Sequence, residues 1–137
     1  MLGELVQLSF DKIMQTQSYT VIIFSGRQKK FAIYTDPNTG HILQQFLSNA
    51  QPLRPLTHDL MHSIFGALGV RIKQVIINDI QDTVYYARLF LEQQRDGLRH
   101  IIEIDARPSD CMALALMENA PVYCTAEVLQ KAVPVDD

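Results

Sequence analysis

Val84-Tyr85-Tyr86-Ala87-Arg88-Leu89-Phe90-Leu91 is a β-branched, aromatic and apolar run. After the polar turn Gln93 to Gly97 comes His100-Ile101-Ile102-Glu103-Ile104-Asp105, and Arg107-Pro108-Ser109-Asp110 then opens an apolar helix, Cys111 to about Glu118. Strands joined by so short a turn are antiparallel neighbours, because a parallel pair needs a crossover of a dozen or more residues. Proline suits a first helical turn, and an acid there complements the helix dipole. The stretch therefore predicts an α+β fold: a largely antiparallel or mixed sheet with helices packed on it.

Upstream, Leu5, Val6, Leu8 and Phe10 open a strand with Gln7, Ser9 and Asp11 interleaved. Tyr19 to Phe24 stops at the turn signal Ser25-Gly26, and Lys30 to Tyr34 follows as the second arm of a hairpin. Asp36-Pro37-Asn38-Thr39-Gly40 reads as loop punctuation, with a helix from about His41 to Asn49. Gln51-Pro52-Leu53-Arg54-Pro55-Leu56 is a stiff connector, since each proline fixes its own φ and biases its predecessor toward extended backbone. Thr57 suits the N-cap of a helix whose stripe is Leu60, Met61, Ile64, Phe65 and Leu68, ending near Gly69. Val70 to Ile80 holds a strand, and Asp79 to Thr83 turns the chain. Pro121 to Cys124 reads as a short strand, Ala126 to Ala132 as a closing helix, and 133–137 as a loose end. Each half thus reads strand, strand, strand, helix. Phe31 to Ala50 aligns without gaps on Ile101 to Ala120, an offset of 70 (101 − 31), and both blocks end in Asn-Ala. That pattern suggests an internal β-β-β-α duplication.

With 137 residues, the chain suits one domain spanning 1–137. Folding at this size buries roughly 68% of the unfolded surface, so a core forms without disulfide staples. The apolar fraction of 47% and charged fraction of 20% are those of globular proteins, and exclude a disordered tail, a collagen-like repeat and a coiled coil. No stretch approaches the ~18 consecutive apolar residues of a membrane span. Met1 to Gln7 carries no basic leader, so no secretory signal is read there. The expectation is a soluble, cytoplasmic protein without a membrane partner. Cys111 and Cys124 lie in apolar sequence; buried reduced thiols are expected, with a disulfide as the alternative. The net charge of −3 works against nonspecific nucleic-acid binding, which draws on counterion release by a basic excess. Any nucleic-acid contact must be local or metal-assisted. There is no P-loop, GxGxxG or GxSxG, so nucleotide-fuelled and serine-hydrolase chemistry has no support.

Two clusters could carry chemistry: Arg54-Pro55-Leu56-Thr57-His58-Asp59, and Glu103-Ile104-Asp105-Ala106-Arg107-Pro108-Ser109-Asp110. Each sets an arginine, a proline and an acid around a helix start, where unpaired N–H groups offer a seat for phosphate. The plainer alternative is that Thr57 and Ser109 are caps, and that Asp59 and Asp110 satisfy backbone donors and pair with the arginines. Glu103 and Asp105 share one face of a strand, about 7 Å apart. Such a pair can share Mg²⁺ with water and substrate oxygens, act as acid and base, or simply face solvent. His58 and His62 lie one helical turn apart, but the zincin pattern needs Glu where Asp59 stands. His58 alone, beside Arg54 and Asp59, is better placed as a general base. Arg88, inside an apolar strand, reads as a paired arginine. Met112 to Met117 is apolar all round, which leaves surface for another subunit, in a dimer or trimer.

The segments Arg54 to Leu60 and Ile104 to Asp110 resemble the signature segments of the bifunctional nuclease domain family, a bacterial and plant group to which DNase and RNase activity is attributed. The resemblance runs over nearly the whole chain, including Tyr85-Tyr86-Ala87-Arg88-Leu89 and Ala120-Pro121-Val122-Tyr123; Cys111 replaces a usual alanine, and the first-half helix matches poorly. It implies phosphodiester hydrolysis of DNA, RNA or both. On that implication His58 is the base and Asp59 orients it. Arg54 and Arg107, with Ser109, bind phosphate, and Asp105, Asp110 and Glu103 serve as Mg²⁺ ligands or proton donors. The rival class is a non-catalytic, homo-oligomeric ligand- or protein-binding module whose Arg-Pro clusters only shape two corners. The enzyme reading requires the two corners to meet at one cleft.

Overall fold

The computed structural model describes residues 3–48 and 57–135. In chain order the elements are β1 (Leu5–Gln15), β2 (Thr20–Gly26), β3 (Lys29–Thr35), α1 (Pro37–Leu47), α2 (Thr57–Ala67), β4 (Val70–Gln81), β5 (Val84–Arg95), β6 (Leu98–Ala106), α3 (Pro108–Glu118), β7 (Val122–Thr125) and α4 (Ala126–Lys131). The α+β expectation holds: the strands form one mixed sheet in the order β3-β2-β1-β7-β4-β5-β6. β1-β2-β3 and β4-β5-β6 are antiparallel meanders, joined by β7, which runs antiparallel to β1 and parallel to β4. Tight turns make the meanders. Arg27 and Gln28 both take positive φ, as do Asp96 and Gly97, the conformation that matches the twist of a hairpin. The turn after β4 is narrower than the sequence suggests, because Asp79 to Gln81 stay paired to β5 and only Asp82 and Thr83 reverse the chain.

Val75, Ile76 and Ile77 of β4 are all buried, and since their side chains alternate, the sheet is covered on both faces there. α3 packs on β4 and β5, α1 on β1, β2 and α3, and α2 on α3 and β4. α3 is apolar all round because its own fold buries it: Pro108, Ser109 and Cys111 to Ala115 are inaccessible. The expectation that this helix faces another subunit is therefore corrected. Exposed apolar side chains do occur on α2 (Leu60, Ile64), in the turn after it (Leu68) and on the edge strand β6 (Leu98, Ile101, Ile102, Ile104). Of the stripe read on α2, Met61 and Phe65 turn to the core and the rest face outward.

The helix expected to start at His41 begins four residues earlier. Asp36 is its N-cap, accepting from Thr39 N at 2.8 Å and Thr39 Oγ1 at 2.9 Å, and Pro37 opens the first turn. Gly40 belongs to the helix because any side chain there would overlap Thr20 of β2. The two halves do repeat the order β-β-β-α, but the gapless register slips: Pro37 and Pro108, each opening its helix, are 71 residues apart (108 − 37). The connector Gln51 to Leu56 lies outside the described residues.

The sheet curls so that its β3 edge approaches the start of β5. Phe31 of β3 stacks on Tyr85 of β5, with ring centroids 5.6 Å apart, and on Phe24 of β2 at 5.7 Å. Residues 133–135, expected to be loose, strap this seam. Pro134 bridges Phe31, Val135 N donates to Lys30 O at 2.8 Å, and Val135 covers Val21, Ile23 and Ala32. Both cysteines are free and buried, as expected. No described helix is long and apolar enough to cross a membrane.

Candidate active site

The chain corner Ala106-Arg107-Pro108 ends β6 and starts α3. Arg107 is the N-cap residue, in extended backbone and without a side-chain cap bond, and Pro108 takes the first helical position, where no N–H is needed. Asp110 then falls in the first turn, where the dipole favours a carboxylate. Its two oxygens are divided. Oδ2 accepts from Arg107 Nε at 2.8 Å, and Oδ1 lies 3.2 Å from His58 Nε2. The hydrogen bond to Asp110, followed by its charge, holds the Arg107 guanidinium more firmly protonated than usual, and the charge of Asp36 adds to this. Nε is the only atom of that guanidinium with a bonded partner among the described residues, so its two terminal nitrogens remain for a ligand.

His58 enters from α2, whose first turn lies over α3. It is 8% exposed, and its Nδ1 is buried with no hydrogen-bond partner among the described residues. His58, Asp105, Arg107 and Asp110 all line one cleft of about 680 Å³. Thr39 and Ile42 of α1 form another wall, and Met61, Phe65, Leu89 and Leu114 make an apolar floor. Thr57 and His58 of the first cluster thus meet the second cluster at one cleft. The contribution of α1 was not foreseen; Pro37 and Pro108, as matching helix starts, are the signal that could have revealed it.

The remaining expected site residues are distributed differently. The carboxylate that holds His58 Nε2 is Asp110, the role expected of Asp59, which stands half-buried in the first turn of α2. Ser109 is buried and lines a separate depression beyond Arg107. Glu103 and Asp105 share a face as expected, but Arg88 lies between them: Nε donates to Glu103 Oε2 at 2.8 Å, and Nη1 is 3.5 Å from Asp105 Oδ1. A cation seat is thereby taken by a guanidinium. Among the described residues no group of three His, Cys, Asp or Glu able to hold a metal ion occurs. His62 pairs with Glu118 at 3.0 Å, whose other oxygen accepts from Ile72 N at 2.8 Å; it is tied to the end of α3 rather than to His58. Arg54 lies outside the described residues.

Comparison with known proteins agrees with the motifs. Residues 21–136 match the family model described as the bifunctional nuclease domain. Uncharacterized proteins from two strains of Mycobacterium tuberculosis are each 40% identical over 82 residues, covering 60% of this chain. The matched stretch is 46% of those proteins' length, so this chain spans about half of the curated relatives it resembles.

Proposed function

Because the chain belongs to the bifunctional nuclease domain family, we propose that it hydrolyses phosphodiester bonds of DNA, RNA or both at the His58–Asp110–Arg107 cleft. The observation that carries this reading is one carboxylate shared by an arginine and a histidine from opposite halves of the chain, at the wall of an open cleft. An enzyme that cuts DNA cannot use a 2′-hydroxyl as nucleophile, so water attacks phosphorus. Asp110 holds the His58 imidazole in the lining of the cleft, and that imidazole serves as the base that takes the proton from water. Arg107 binds the non-bridging oxygens through its terminal nitrogens and stabilises their charge as it grows in the transition state. Arg54, just ahead of α2, supplies the second clamp. The bond from phosphorus to the leaving oxygen breaks, and that oxygen regains a proton from the imidazolium or from solvent. No step is routed through a metal.

The test uses gel-filtered protein on fluorogenic single- and double-stranded DNA and RNA, with and without EDTA, assayed across the elution peak. Cleavage is expected to co-elute with the protein. His58→Ala should lower kcat by about 10²–10⁴-fold, and Arg107→Ala by about 10²–10³-fold. Asp110→Asn, which unties both partners, should do at least as much harm as His58→Ala. Full cleavage by both His58→Ala and Arg107→Ala would end the assignment. The rival, a non-catalytic oligomeric binding module, is favoured by the apolar side chains exposed on α2 and β6. On that reading Asp110 merely ties α2 to α3, and the pure protein cleaves nothing.

A further inference from the structure

Beyond Arg107, on the side away from the cleft, a second depression of about 330 Å³ opens between β3 and the start of β5. We propose that it is a base-stacking subsite, and that the substrate of the adjoining cleft is a single strand rather than a duplex. This rests on the phosphodiester reading of the cleft.

Four observations carry it. Arg107 lines both cavities, so the base of a nucleotide whose phosphate sits on Arg107 has this depression next to it. Two tyrosines are among its lining: Tyr34, 64% exposed and not needed by the core, and Tyr85, half-buried. Both rings are fixed in advance. Tyr34 is backed edge-on by Tyr19, with centroids 5.5 Å apart, and Tyr85 stacks on Phe31. The volume falls at the lower end of small-ligand sites, roughly 300–1,000 Å³, the class that takes a nucleoside-sized group.

Charge points the same way. A chain of net charge −3 cannot draw its affinity chiefly from phosphate neutralisation. Stacking on aromatic rings is independent of that term and supplies affinity base by base. Paired bases inside a duplex cannot enter such a pocket, whereas bases of a single strand can. Each oxygen of Asp36, the carboxylate at the rim, accepts a bond from Thr39.

The experiment measures binding of a cleavage-resistant phosphorothioate deoxyoligonucleotide carrying 2-aminopurine, as a single strand and annealed to its complement. The single strand should bind more tightly than the duplex, with the 2-aminopurine emission quenched by stacking. Tyr34→Ala, at a site exposed enough to leave the fold intact, should weaken binding by roughly 5–150-fold and abolish the quench. Tyr34→Phe, which keeps the ring, should restore both. Equal binding of duplex and single strand, or unchanged binding by Tyr34→Ala, overturns the subsite. If the single strand stacks as described but wild-type protein cleaves nothing, the subsite stands and hydrolysis falls. If wild type cleaves, His58→Ala does not, and Tyr34→Ala behaves like wild type, hydrolysis stands and the subsite falls. Failure to bind either form overturns both.

Discussion

Asp110 does its work with one oxygen for each neighbour, and neither neighbour is close to it in the same way along the chain: Arg107 is three residues back and His58 is 52. The short-range bond was legible in Arg107-Pro108-Ser109-Asp110, because a helix start brings those side chains together. The long-range one was not, since sequence proximity favours Asp59 as the partner of His58 and only the packing of α2 on α3 brings Asp110 there. The cysteines were easier, as apolar neighbours announce burial. That burial pushes the Cys111 thiol up to about 12 and the Cys124 thiol to about 11, from an ordinary 9.0. The sign follows: both states hold neutral thiols below the unfolded value, and above it only the unfolded chain ionises. Stability should therefore be flat in this respect at neutral pH and fall from about pH 9 upward. Urea unfolding midpoints at pH 7 and pH 10, compared with those of Cys111→Ala, measure the thiol's share. A pH response identical in the variant would reject it.

At the scale of elements, strands were read closely because alternation and turn residues are local signals. The sequence suggests a shorter α1 because Asp-Pro-Asn-Thr-Gly has the composition of a loop. In the fold the same residues are a capped helix start, and the glycine marks close approach to Thr20 rather than a turn. The cap bonds from Thr39 hold the Asp36 carboxyl below its usual range. Its stabilisation is thus complete above the unfolded carboxylate value of about 4 and is lost as pH falls through the lower folded value. Asp36→Ala should cost about 1 kcal/mol at pH 7, and the gap to wild type should close in acid; thermal melts at pH 7 and pH 3 check both. Gly40→Ala, ordinarily favourable in a helix, should instead destabilise by about 1–3 kcal/mol through overpacking against Thr20. A gain in melting temperature would refute the close-packing account.

For the molecule as a whole, the repeated β-β-β-α order was visible in the chain, but its consequence was not. The site draws α1 from the first half, and β6 and α3 from the second, with α2 between them, and the curl that brings Phe31 onto Tyr85 rests on contacts that no local pattern encodes. The outward face of α2 and the edge of β6, unpaired among the described residues, leave exposed apolar surface. We expect a homo-oligomer built through these surfaces. Sedimentation of wild type should give a dimer or larger, while Leu60→Lys combined with Ile101→Lys should give a folded monomer. A monomeric wild type at micromolar concentration would remove the expectation.

β7 has a consequence for how the protein is made. Four residues near the end of the described chain are the only strand inserted between the two meanders, bonded to β1 on one side and β4 on the other. Translation delivers both meanders before this keystone exists. Until β7 follows, β1 and β4 lack the strand that bonds to both, so the meanders can join in one sheet only after it has been synthesised.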